Sequence, residues 1–109
     1  GIPPFCCYGQ FSRLAGADAA IFTSFGGRFP FTEEVCRKIC DGTETEMGGL
    51  RSIFPVPSGG MKWQLFKKMV QVYGPDAIFL VGGALLTESN DLTANMHFYF
   101  EKLNEAVNK

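Results

Sequence analysis

Ser52-Ile53-Phe54-Pro55-Val56-Pro57-Ser58-Gly59-Gly60-Met61 decides the reading of this chain. A short apolar run is followed by a glycine pair, and the glycine pair by a helical pattern. The same succession occurs at Ala19-Ala20-Ile21-Phe22-Thr23 before Gly26-Gly27, and at Ala77-Ile78-Phe79-Leu80-Val81 before Gly82-Gly83. These runs are almost continuously apolar rather than alternating, which is the pattern of strands covered on both faces in a parallel sheet or barrel. Strands are therefore predicted over 19–23, 52–56 and 77–81. Pro55 is an awkward member of a central strand, because it has no N–H for the ladder.

Helical patterns fill the intervals. Thr32 is a suitable N-cap, with Glu33 and Glu34 placed for the positive end of the helix dipole. Met61, Leu65, Phe66, Met69, Val70 and Tyr73 form one stripe, which stops at Gly74-Pro75. Met96, Tyr99, Phe100, Leu103 and Val107 form another. Phe5 to Leu14 reads as an opening helix that ends at Gly16. The polar stretch from Asp41 to Gly49 reads as solvated loop. The order is α-β-α-β-α-β-α, which demands parallel strands joined by right-handed crossovers. Three such strands cannot close a barrel. The sheet is either small and doubly wound, or it is the end of a larger barrel.

Composition narrows the function. The chain has 109 residues, 46% hydrophobic and 19% charged, with a formal net charge of -1. That suits one domain with a buried core. Its scattered basic residues do not make a nucleic-acid surface, and no apolar run is long enough to span a membrane. The absence of a signal segment and of an initiator Met leads to two expectations: a cytoplasmic protein, and a chain that continues upstream. Cys6, Cys7, Cys36 and Cys40 read as reduced thiols that pack as small apolar groups. His97, the single histidine, lies off the apolar stripe of the last helix and reads as exposed.

All three glycine pairs fall where strands end, the position at which α/β proteins bind ligands. Glycine lets the backbone approach an anion closely, and freed N–H groups can hold it. Gly59-Gly60, preceded by Ser58, and Gly82-Gly83 occupy the loops that hold phosphate in many barrels. A glycine pair in a tight turn also serves geometry alone. Gly26-Gly27 can hinge a lid, with Arg28 at its tip facing an anionic substrate. The plainer reading of Arg28 is a surface arginine on a turn.

Several stretches, in this order and spacing, resemble the RuBisCO large chain. They are Leu14-Ala15-Gly16-Ala17-Asp18, Gly27-Arg28, Pro55 to Met61, Val72-Tyr73-Gly74-Pro75-Asp76 and Leu80-Val81-Gly82-Gly83-Ala84. The RuBisCO-like proteins, its non-carboxylating relatives, are the nearer match, and the resemblance covers nearly the whole chain. It implies a partial (β/α)8 TIM barrel of class α/β: the last three βα units, about units 6 to 8, preceded by one helix. All of residues 1–109 would lie in that C-terminal barrel segment. It further implies that Ser58 hydrogen-bonds substrate and that Gly60, Gly82 and Gly83 hold a phosphate through their N–H groups, with Gly59 in the same turn. Arg28 falls where carboxylases carry a lid lysine.

Two further departures argue against carboxylation of a bisphosphate. Ile21 and Lys62 stand where carboxylases have histidine. The implied Mg2+ would be held by residues outside this chain, so no metal ligand is assigned within it. The implied partners are a phosphorylated keto or sugar substrate, the rest of the barrel with its N-terminal domain, and a second subunit in a homodimer. The expected chemistry is Mg2+-assisted enolisation, isomerisation or a related rearrangement. The alternatives are a fragment of a true carboxylase, and a non-catalytic βα half-barrel that binds phosphate or a partner.

Overall fold

Pro55 and Pro57 set the extent of the sheet. The computed structural model describes residues 2–26 and 31–108. Strand β1 (Ala19–Thr23) runs parallel to β2 (Phe54–Ser58), in register from Ala19 opposite Phe54 to Thr23 opposite Ser58. Alternate residues of a parallel strand turn their backbone groups to opposite neighbours. The Phe54 N–H donates to the Asp18 carbonyl at 3.1 Å, and the Ser24 N–H to the Ser58 carbonyl at 2.7 Å. Pro55 and Pro57 therefore face the other side. Their carbonyls accept from Ile78 N–H at 3.0 Å and Leu80 N–H at 3.1 Å, but they have no N–H to return.

The third run consequently docks through one isolated bridge, Ser58 with Leu80, and not as the strand expected over 77–81. The second strand also lies two residues later than the expected 52–56. Within this chain only one face of the strands is fully covered. Ala20 and Phe22 are buried under the helices, whereas Ile21, Phe54, Ile78 and Leu80 are about half exposed on the opposite face. The result is an α/β arrangement with a two-stranded parallel sheet and helices on one side among the described residues.

The opening segment is helical as expected, but it starts as a π-helix (Phe5–Gln10) before α1 (Phe11–Leu14). It lies across α2 (Glu33–Glu44), whose N-cap Thr32 accepts from Val35 N–H at 3.1 Å. Helix α2 extends through Asp41–Glu44, so the expected loop begins only after Glu44. Tertiary packing explains the difference. A Cβ on Gly9 would stand 2.5 Å from the Gly42 carbonyl carbon, and a Cβ on Gly42 would run into the Phe5 carbonyl oxygen. Gly42 weakens the helix locally, yet it lets the two helices touch backbone to backbone.

A 3₁₀ turn (Trp63–Leu65) leads into α3 (Phe66–Tyr73), which ends at Gly74 with φ 78°. A short α4 (Gly83–Thr87), not foreseen from the sequence, precedes α5 (Leu92–Val107). The expected stripe on α5 is only partly covered. Tyr99 is buried, but Met96, Phe100 and Val107 are exposed. The buried edge runs instead through Asn95. Its Nδ2 donates to the Leu85 and Ser89 carbonyls at 2.8 and 3.1 Å, and its Oδ1 accepts from Ser89 Oγ. These bonds satisfy a buried amide and tie α4 to α5.

The core joins Phe22, Cys36, Ile39, Cys40, Met61, Phe66, Met69, Val72, Tyr73 and Tyr99. Ile39 and Met69 are completely buried, and truncating either to Ala costs about 2–5 kcal/mol. Phe25 and Phe31 pack against this core. Among the described residues no helix is long and apolar enough to cross a membrane.

Candidate functional site

Where β2 ends, Gly59 and Gly60 take φ values of 81° and 64°. This left-handed geometry costs an L-residue roughly 1–2 kcal/mol at each position, and glycine avoids the cost. The chain turns there and sends Met61 into the core. The Lys62 N–H bonds back to the Gly60 carbonyl at 2.8 Å, and the Lys62 carbonyl accepts from Leu65 N–H at 2.9 Å. After the third run, Gly82 and Gly83 open α4. Among the described residues, and beyond the local backbone, no atom lies within 4 Å of where a Cβ on either would stand. The described residues leave the space in front of these two glycines unfilled.

Ser58, Gly59, Gly60, Gly82 and Gly83 all line one hollow of about 620 Å³, together with Lys62, Leu80 and Thr87. Two pairs more than 20 positions apart in sequence thus share one concavity at the ends of neighbouring extended segments. Gly26, of the first pair, stands next to it. A Cβ on Gly26 would be 3.3 Å from the Gly60 carbonyl oxygen, so the loop after β1 crosses the loop after β2. Gly27 and Arg28 lie outside the described residues.

The hydroxyls of the hollow already have partners. Ser58 Oγ donates to the Phe22 carbonyl at 3.1 Å, and Thr87 Oγ1 donates to the Gly83 carbonyl at 3.0 Å. Each keeps lone pairs for accepting but has committed its single proton. Among the described residues Lys62 is the only charged side chain lining the hollow; it is exposed and has no ion-pair partner there. From the sequence it reads only as a departure from histidine. Its position two residues past a glycine pair at a strand end was a signal for anion contact.

The opposite end of the sheet, where the strands begin, has a different construction. Arg13 is 4% exposed and donates to four carbonyls, those of Gly42, Thr45, Leu50 and Arg51. It caps the C-terminal end of α2 and fastens the connection into β2. Asp18 lies at this end as well, against the start of β2, remote from the glycine hollow. Sequence reasoning passed over Arg13, since an arginine at the end of an amphipathic helix ordinarily faces water.

The remaining polar groups are structural. Ser24 and Tyr73 share a buried hydroxyl–hydroxyl bond of 2.7 Å. Burial pushes the Tyr73 phenol and the Cys36 thiol above their ordinary ranges, and pushes Cys40 up to about 12. Both thiols therefore remain protonated at neutral pH and pack as small apolar groups, as expected. His97 is exposed. Among the described residues no three His, Cys, Asp or Glu side chains come together in a way that could hold a metal ion. The Mg2+ implied by the sequence resemblance is expected to take its ligands from outside this chain, and no step is derived through it.

No family model matches the chain. It is 40% identical over 92 residues to ribulose bisphosphate carboxylase-like protein 1 of Rhodopseudomonas palustris, covering 84% of this chain and 25% of that protein. It is 41% identical over the same length to 5-methylthioribulose-1-phosphate isomerase of Rhodospirillum rubrum, with the same coverage. Among solved structures, a RuBisCO-like protein of Alicyclobacillus acidocaldarius superposes with a TM-score of 0.82 at 27% identity, over 94% of this chain and 26% of that one. The chain spans about a quarter of the length of the relatives it matches.

Proposed function

Since the chain belongs to the RuBisCO-like proteins of the RuBisCO large-chain superfamily, we propose that it forms the last three βα units of a (β/α)8 barrel and supplies the phosphate-binding loops of a cytoplasmic enzyme. The substrate is a phosphorylated keto compound, and the reaction is an enolisation or isomerisation of its carbon chain. The relative named as an isomerase of a methylthio-ketose phosphate supports this class over carboxylation. Ile21 and Lys62, in place of the histidines of carboxylases, support it as well.

One observation carries the reading: the two glycine pairs open onto a single hollow, with unfilled space before Gly82 and Gly83. Backbone N–H groups there can meet a phosphate without side chains in the way. Ser58 adds a hydroxyl able to accept from a substrate hydroxyl. Arg28, two residues beyond Gly26, contributes a cation over the substrate when its loop closes. Metal ligands, the remaining strands and the partner subunit of a homodimer come from outside this chain. The exposed apolar face carrying Ile21, Phe54, Ile78 and Leu80 becomes the barrel interior.

The test uses the complete protein that contains this chain. A keto-sugar phosphate is titrated calorimetrically against the wild type and Gly82→Val, whose branched side chain fills the open space. Loss of binding is expected, and equal affinity removes the assignment. In the same protein Arg28→Ala is expected to lower kcat more than it weakens phosphate binding. An unchanged kcat makes Arg28 a bystander.

A further inference from the structure

Backbone amides alone leave a doubly charged anion short of counter-charge, and the cation proposed above, Arg28, lies outside the described residues. Among the described residues three side chains lining this hollow can donate, and two of them are committed. Ser58 gives its proton to the Phe22 carbonyl and Thr87 gives its proton to Gly83. Lys62 is the third. Its backbone is held on both sides, by the bond from its N–H to Gly60 and by the bond from Leu65 N–H to its carbonyl. Its neighbour Met61 is 2% exposed and anchored in the core. The root of the Lys62 side chain is therefore fixed at the rim, and its flexible stem ends in three free donors.

We propose that the Lys62 ammonium is a neutralising ligand of the phosphate in this hollow, and so favours phosphate-bearing over uncharged substrates. The inference rests on the proposed phosphate site and adds a residue to it. An ammonium in direct contact with a phosphate makes a charge-assisted bond, stronger than those from the neutral amides. Nothing in the described surroundings competes for it, since no carboxylate pairs with Lys62 among the described residues.

Inorganic phosphate serves as the probe, titrated against the complete protein at low and moderate salt. The forms compared are wild type, Lys62→Met, Lys62→Arg and Gly82→Val. Lys62→Met is expected to weaken phosphate binding roughly ten- to a hundredfold. It should also flatten the dependence on salt, since an exposed charge–charge contact is screened. Lys62→Arg keeps the charge and is expected to retain most of the affinity with the wild-type salt dependence. A merely structural role for Lys62 would leave the salt dependence untouched. If wild type binds, Gly82→Val does not, and Lys62→Met matches wild type at both salt concentrations, the glycine site stands and the Lys62 assignment is overturned. If wild type itself fails to bind phosphate at millimolar concentration, the phosphate site and the role of Lys62 fall together.

Discussion

The two ends of helix α2 face opposite ends of the sheet, and they are finished in contrasting ways. At the end where the strands stop, its first turn is capped by a single exposed bond from Val35 N–H to Thr32 Oγ1. At the end where they begin, the buried Arg13 guanidinium collects four carbonyls, and Gly42 lies against Gly9 with no room for a methyl group. The first end is loose, glycine-rich and hollow, while the second is closed by a cation that touches only protein. The barrel proposed above would use this division, since loops that admit a ligand cannot also be the stitching.

The contrast can be broken most strongly at Arg13. Arg13→Met leaves several carbonyls without a donor and is expected to cost about 3 kcal/mol or more. Chemical denaturation of the complete protein measures this, and a loss below half that value would mean water replaces the guanidinium cheaply. Gly42→Ala comes next. A helix-interior Gly→Ala change ordinarily stabilises by roughly 1 kcal/mol. Here the added methyl meets the Phe5 carbonyl, so the sign should invert to a loss of about 1–3 kcal/mol. A stabilised Gly42→Ala protein would show that the opening helix can shift away freely. At the other end of the same helix, Thr32→Ala removes one cap bond and is expected to cost about 1 kcal/mol, read from the same unfolding curve. A cost equal to that of Arg13→Met would erase the asymmetry. The smallest effect belongs to Gly83→Ala, whose methyl enters open space. Its stability should stay within about 0.5 kcal/mol of wild type. A large loss there would mean that the loop after the third run is as tightly packed as Gly42.

Local rules carried much of the fold. β1 lies at Ala19–Thr23, the residues its apolar run picked out, and Thr32 caps α2 as its side chain and the following glutamates indicated. The failures have a common cause. Gly42 looks like a helix breaker in isolation, because only the crossing of the opening helix reveals what the missing side chain permits. Ala77–Val81 reads as a strand because apolar runs do so, but a strand needs a partner able to donate, and its partner presents Pro55 and Pro57. The α5 stripe misled in the same way: periodicity marks an apolar face, yet cannot say whether anything lies against Met96 and Phe100.

By itself, the sequence determined which segments can be helical or extended, where glycine stops a helix, and which family the motifs resemble. These depend on side-chain shape and backbone freedom over a few neighbouring residues. Tertiary structure alone decided that Gly59-Gly60 and Gly82-Gly83 border the same hollow, that the hydroxyl protons of Ser58 and Thr87 are already engaged while Lys62 is free of ion pairs among the described residues, and that Arg13 points inward. The physical reason is distance along the chain. A turn is encoded by the residues that make it, whereas a shared cavity or a carbonyl awaiting a donor exists only once segments dozens of residues apart have packed together.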